Sequence, residues 1–270
     1  MPFVIIFAVL AVVACLYLLA LKPRPEPKTS LDPMKVPFAH RGLWGRDEAV
    51  ENTMSAFRAA ERCGYGIELD VRLTSDGEIA VFHDETLERM CGRAEKVSEL
   101  TGSELSWVDV HGTYDRIPMF EDVLASVGHD VPLLIELKGT DTALCEKVAK
   151  MLDGYDGYFA VQSFNPFLMN WFRKERPRFL RGQLTATFSE LKKTPFFGRV
   201  VCSSMMFNFL SKPDFISCSL RARKRLPALV CLGLYHSPQF VWTVESKKDF
   251  DDVKASGAVP IFQKILPETR

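Results

Sequence analysis

The chain opens on nineteen consecutive positions, residues 3–21 (FVIIFAVLAVVACLYLLAL), without a charged or strongly polar side chain. At a helical rise of roughly 1.5 Å per residue, such a run is about 28 Å long, close to the thickness of a hydrocarbon core. KPRPEPKTSLDP (22–33) follows, and its four prolines cannot continue a helix; they predict a stiff, extended spacer. Beyond it, short apolar runs alternate with segments of helical period. Strands are predicted over 36–42 (VPFAHRG), in two pieces across 67–84 (IELDVRLTSDGEIAVFHD), and over 131–138, 158–164, 178–185, 214–220, 239–244 and 258–265. Helices are predicted over 51–64, where Met54, Phe57, Ala60 and Cys63 recur at helical spacing, over 120–128 and 141–154, and along PFLMNWFRKE.

This alternation over roughly 240 residues predicts an α/β fold with a parallel sheet, and the length fits a closed TIM (β/α)8 barrel. A doubly wound open sheet is the alternative, but no glycine-rich phosphate loop follows the first strand. The predicted organisation is a transmembrane anchor at 1–22, a proline-rich linker at 23–33 and one barrel domain over 34–270. A cleaved signal peptide needs basic residues before its apolar run. Here none precedes it, whereas Lys22, Arg24 and Lys28 follow. That asymmetry predicts a single-pass protein with the barrel on the cytoplasmic side.

Composition narrows the class. With 34 basic and 34 acidic residues the net charge is zero, so nothing suggests a nucleic-acid surface, and the 47% hydrophobic content is ample for a full core. Seven cysteines without a CxxC pair read as reduced thiols, which suits the cytoplasm. The sequence leaves the oligomeric state open.

The polar residues are informative because of where they fall. His40, Glu68, Asp70, His83, Glu136, Lys138, Gln162 and Trp242 all sit at or near the carboxyl ends of predicted strands, the end of a βα-barrel at which active sites are built. Glu68 and Asp70, two apart on a strand, share a face, as do Glu136 and Lys138. Three carboxylates converging on one mouth call for a cation, and an all-oxygen set favours Ca²⁺ or Mg²⁺, with Mn²⁺ also suitable, over zinc. The plain alternative is pairing with Arg or Lys, and Lys138 is placed to do this for Glu136. His40 and His83 can supply acid–base work near neutral pH, one as base and the other as acid, while the planar fork of Arg41 suits a phosphoryl group. The set suits hydrolysis of a phosphate ester.

FAHRG, ENTMSAFRAA, IELDVRLTSDGEIAVFHDETLERMCG, IPMFEDVL, LLIELK, VQSF and VWTV, in this order and spacing over about residues 36–266, strongly resemble the glycerophosphodiester phosphodiesterase family. The resemblance implies a TIM-barrel enzyme that uses a divalent metal to hydrolyse glycerophosphodiesters to sn-glycerol 3-phosphate and an alcohol. It implies His40 and His83 as the acid–base pair, Glu68, Asp70 and Glu136 as metal ligands, and Arg41 and Lys138 as phosphate contacts. Gln162 joins them as a substrate contact, and Trp242 matches an aromatic beside the glycerol end. Residues 85–118 correspond to a small insertion covering the site. The last strand departs from the family pattern: Gln263 and Lys264 stand near an expected Thr-Asp. A lysophospholipase D acting on lysophospholipids, and a non-catalytic, membrane-tethered barrel that binds phosphodiesters, are the alternatives.

Weaker signals remain. RARKR (221–225) reads as a solvated loop or as a contact for anionic lipid. KKTPFFGRVVCSSMMFNFL (192–210) is expected to form helices packed on the core, with an apolar lip resting on a bilayer as the alternative. Trp107 and Tyr114 are candidates to line the cover of the site, and His111 falls in the same insertion without a partner pattern.

Overall fold

In the computed structural model, which describes residues 1–25, 27–45, 49–127 and 129–267, eight parallel strands close into a barrel. They are β1 (Phe38–His40), β2 (Gly66–Leu73), β4 (Leu133–Leu137), β5 (Phe159–Ser163), β6 (Leu180–Thr185), β7 (Phe215–Ser219), β8 (Gln239–Val244) and β9 (Val259–Phe262). The barrel closes where β1 pairs with both β9 and β2, and the short β3 (Ile79–Val81) adds an antiparallel edge to β2. The helices are α1 (Pro2–Leu21), α2 (Met54–Arg62), α3 (Glu88–Cys91), α4 (Gly102–Leu105), α5 (Phe120–Ser126), α6 (Thr142–Asp153), α7 (Pro166–Glu175), α8 (Phe196–Ser204), α9 (Asn208–Ser211), α10 (Leu226–Gly233) and α11 (Lys247–Ala255). Glu26 of the predicted linker, Gly128 at the end of the predicted helix 120–128, and residues 268–270 of the predicted barrel segment lie outside the described residues.

Local chemistry places the helix starts. Thr53, Asp141, Asn165 and Ser246 accept from backbone N–H groups in the first turns of α2, α6, α7 and α11, satisfying donors with no partner inside the helix. Strand alternation then separates two cores. Outward residues such as Ile67, Leu69, Ile135 and Val161 pack under the helices, while Phe38, Leu134, Phe215, Phe240 and Ile261 fill the barrel. Phe215 needs room across the barrel: a Cβ at Gly182 would lie 2.2 Å from its ring, which accounts for glycine in β6.

The proline-rich stretch lies against the barrel. Arg24 reaches Asp214 at 3.0 Å and the Pro177 carbonyl at 2.9 Å, Thr29 donates to the Arg178 carbonyl at 2.6 Å, and Leu31 and Met34 are buried against the apolar floor of the barrel. The end of α1 is fixed as well. Tyr235 donates to the Leu18 carbonyl at 2.6 Å and Asn208 to the Leu21 carbonyl at 3.1 Å, satisfying last-turn acceptors, while Tyr17 donates to the Ser204 carbonyl at 2.8 Å. Nearer its start, α1 is exposed along its whole circumference, and it is long and apolar enough to cross a membrane.

The expectation for 192–210 needs correction. Val201 and Met205 do reach the core, but Phe196, Phe197 and Phe209 are half or more exposed. Two helices stand in this connection, and the sequence offers them more apolar side chains than one buried face can take. Trp107 and Tyr114 are exposed too; Trp107 packs under the Arg116 guanidinium, 4.5 Å from the ring centre. Residues 87–117 carry a small apolar core of their own around Leu87, Met90, Val97, Leu105 and Ile117.

Asp214 is the buried counter-charge for Arg181 and Arg24, at 3.7 and 3.0 Å. Asp214→Ala, which strands the Arg181 guanidinium inside the protein, is expected to lower unfolding stability by about 3–5 kcal/mol, read from denaturant midpoints. Arg24→Ala, which leaves the inner pair intact, should cost clearly less in the same measurement.

Candidate active site

Parallel registry assembles the mouth. His40 stands beside Glu68 across β1 and β2, Asp70 beside Glu136 across β2 and β4, and Glu136 beside Gln162 across β4 and β5. Each is an inward position on its strand, so the alternation that packs aliphatics outward aims these polar groups into the barrel. One carboxylate oxygen from each of Glu68, Asp70 and Glu136 lies within 4.8 Å of the others, and all three residues are buried. His40, Arg41, Glu68, His83, Glu136, Lys138, Gln162 and Trp242 line one cavity of about 90 Å³, with Phe164, Leu184, Thr243 and Ile261 as its apolar side. Asp70 lies directly beneath, ion-paired to Lys138 at 3.0 Å and to Arg41 at 3.3 Å. All nine residues singled out from the sequence thus come together.

The carboxylates do not share their charge evenly. Burial, with the Asp70 and Glu136 carboxylates alongside, pushes Glu68 well above the usual carboxylate range despite Arg41 and Lys138. Burial opposes ionisation of Asp70 too, but there Lys138, His83, Arg41 and the Asn52 amide outweigh it and hold the group well below that range. Lys138 also bonds Glu136, so part of the pairing foreseen as the plain alternative is present. The Gln162 Oε1 and Trp242 Nε1 atoms are buried without a hydrogen-bond partner among the described residues. An all-oxygen donor set, close together and only partly neutralised by Lys138 and Arg41, fits a hard divalent cation.

The histidines are held differently. Gln263 donates its amide to Glu245, which turns its carbonyl oxygen toward His40 Nδ1 at 2.6 Å. Nδ1 is therefore the protonated nitrogen, and the Nε2 lone pair faces Glu68 at 4.0 Å. Burial and the adjacent Arg41 lower His40 to about 3, against the opposing pull of Gln263 and Asp70, which keeps the ring neutral. His83 Nδ1 instead donates to the Asp84 carboxylate at 2.7 Å, and the guanidinium of Arg72 holds the His83 carbonyl.

The sequence reading missed a supporting layer. Glu51 receives Arg41 at 2.7 Å and Arg89 at 2.6 Å. Burial would raise its pKa, but these guanidiniums lower it. Asn52 donates to Asp70 Oδ2 at 2.9 Å and accepts from the Asp70 N–H at 3.3 Å. Both precede α2, where Asn52 reads as a helix cap; the signal was an extra acidic–amide pair beside a cap that Thr53 already fills. Arg41 thus has two nitrogens committed to Glu51 and Asp70, and its backbone N–H donates to Glu68 at 3.0 Å. Gln263, noted only as a departure, is the group that orients His40. No residue of 85–118 lines the cavity; the insertion meets the site's rim through Arg89.

A barrel mouth that gathers acidic oxygens, two histidines and basic side chains around a small cavity is that of a phosphoester-type hydrolase fold. The chain belongs to the glycerophosphoryl diester phosphodiesterase family, whose model matches residues 40–263. It is 30% identical over 231 residues to YhdW of Bacillus subtilis, whose name provisionally assigns that activity, covering 82% of this chain and 90% of YhdW. It is 33% identical over 132 residues to a human lysophospholipase D, covering 44% of this chain and 41% of that protein. Among solved structures, a glycerophosphodiester phosphodiesterase from Thermotoga maritima superposes with a TM-score of 0.65 at 24% identity, over 84% of this chain and 93% of its own. An Oleispira antarctica phosphodiesterase in complex with its product sn-glycerol-3-phosphate gives 0.69 at 19% identity, over 84% and 93%. At these identities the likeness is one of fold.

Asn52→Ala should weaken binding of Ca²⁺ or Mg²⁺ by about 10–100-fold in calorimetric titration, because the amide holds the Asp70 carboxylate in place. The barrel should remain folded, since only the two side-chain hydrogen bonds to Asp70 are lost.

Proposed function

We propose that this protein is a metal-dependent phosphodiesterase that hydrolyses glycerophosphodiesters to sn-glycerol 3-phosphate and an alcohol. The observation that carries this reading is the convergence of Glu68, Asp70 and Glu136 with His40 and His83 on one cavity at the barrel mouth. The three carboxylates would hold Ca²⁺ or Mg²⁺, which when bound supplies Lewis-acid stabilisation of charge on the phosphoryl oxygens.

This chain's own groups divide the remaining work. His40, neutral and with Nε2 free to accept, takes the proton from the attacking hydroxyl or water. His83, whose Nδ1 is held by Asp84, delivers a proton from Nε2 to the departing alkoxide. Lys138 and the remaining Arg41 donors face the phosphate. The unpartnered Gln162 carbonyl oxygen can accept from a glycerol hydroxyl, and the Trp242 N–H can donate to a substrate oxygen. The insertion at 85–118 reaches the site only at its rim, where Arg89 braces Glu51 and Asp84.

The apolar side of the cavity, with Phe164 edge-on to Trp242 at 5.7 Å, favours a second reading. In it the substrate is a lysophospholipid: its acylated glycerol stays on the phosphate against these rings, water displaces the headgroup alcohol, and the product is lysophosphatidic acid. The positive side chains that follow α1 and the seven free cysteines support a single-pass protein with its barrel in the cytoplasm.

Full-length protein should release glycerol 3-phosphate from glycerophosphocholine or glycerophosphoethanolamine with Ca²⁺ or Mg²⁺ and lose that activity in EDTA. His40→Ala and His83→Ala should each lower the rate by about 10²–10⁴-fold. Release of choline from lysophosphatidylcholine alone would select the second reading. No turnover of any of these substrates by folded, metal-loaded protein would reject both.

A further inference from the structure

Outside α1, fourteen large hydrophobic side chains are exposed among the described residues, and nine of them fall between Phe188 and Leu234. Charge is skewed over the same part of the chain. Residues 188–235 hold eight basic side chains (Lys192, Lys193, Arg199, Lys212, Arg221, Arg223, Lys224, Arg225) against two acidic, although the whole chain balances at 34 and 34. Of the two acids, Asp214 is buried between Arg24 and Arg181, and Glu190 is engaged by Thr187 and Ser219. Here α8, α9 and α10 present exposed apolar side chains and no acidic ones, and basic residues flank them at 192–193, 212 and 221–225.

The foot of α1 stands in this layer. Its last turn is tied to α9 by Asn208, to the end of α8 by Tyr17, and to the segment after α10 by Tyr235. An apolar surface continuous with the root of a membrane-length helix, and bordered by basic residues, is complementary to one kind of partner.

We propose that α8–α10 form a second membrane contact, lying on an anionic bilayer beside α1, with Phe196, Phe197, Leu226 and Leu229 in the interface and Lys192, Lys193 and Lys224 on lipid phosphates. The inference rests on α1 spanning that bilayer. It has a consequence for the site. The amino ends of α8 and α10 follow the carboxyl ends of β6 and β7, the rim that carries His40 and the carboxylates. Docking therefore holds the mouth next to lipid and favours phosphodiesters made at, or delivered from, the membrane surface.

The test is hydrogen exchange, followed by mass spectrometry, of the full-length chain in phosphatidylglycerol-rich nanodiscs, in phosphatidylcholine nanodiscs and in detergent. Exchange along residues 3–14 reports separately whether α1 lies in the bilayer. Segments 194–210 and 224–234 should exchange about tenfold more slowly in the anionic discs, since each basic residue near such a surface contributes on the order of a factor of five in occupancy. The slowing should vanish in phosphatidylcholine and in the combined Lys192→Glu, Lys193→Glu, Lys224→Glu variant, whose three side chains make no ion pair among the described residues. Equal rates in all three media, with α1 protected, would overturn the proposal while leaving the anchor intact. Slowing that follows protein concentration instead of lipid charge would also overturn it, in favour of a second copy of this chain. Free exchange along α1 in the discs would refute the anchor and the proposal together.

Discussion

The structure turns on three carboxylates that share one small space. Glu68, Asp70 and Glu136 are buried at the barrel mouth, and like charges in such a place oppose one another's ionisation. The protein answers with Lys138 between Asp70 and Glu136, Arg41 against Asp70, and the Asn52 amide beneath. These positive groups sustain Asp70 as an anion but leave Glu68 disfavoured. That uneven result is what a cation would correct, and it sets the requirements for everything around it. Arg41 must be steered by Glu51, Glu51 by Arg89, and the histidines by neighbours that fix which nitrogen carries the proton.

The same barrel that builds this mouth is closed from below by the segment leading out of α1. Leu31 and Met34 cover the apolar floor, Arg24 joins the buried Asp214 pair, and the last carbonyls of α1 are taken up by barrel side chains. Because those carbonyls need partners wherever water is excluded, the helix cannot swing freely without leaving them unsatisfied. Helix α1 and the barrel are therefore coupled through hydrogen bonds as well as by the chain.

Much of this was legible in the sequence, for identifiable reasons. Strand alternation placed Glu68 with Asp70 and Glu136 with Lys138, and polar residues at successive strand ends had to meet if the strands were parallel. Helix 51–64 announced itself through Met54, Phe57, Ala60 and Cys63 at helical spacing. Other features depended on distance in space. Gln263 lies 223 residues from His40, so its role as the partner of Nδ1 could be seen only once β9 stood beside β1. Asn52 read as a cap because capping is what Asn before a helix usually does. Phe196 and Phe197 read as core because composition alone does not say on which side of a helix the solvent lies, or whether the solvent is water.

The central claim is that Glu68, Asp70 and Glu136 form a cation site. An anomalous difference map from crystals of this protein soaked in Mn²⁺ tests it most directly. The account predicts one strong peak within bonding distance of an oxygen from each of the three carboxylates, with the Lys138 ammonium withdrawn from between them. A peak elsewhere, or a mouth unchanged with Lys138 still bridging Asp70 and Glu136 at saturating Mn²⁺, would contradict it.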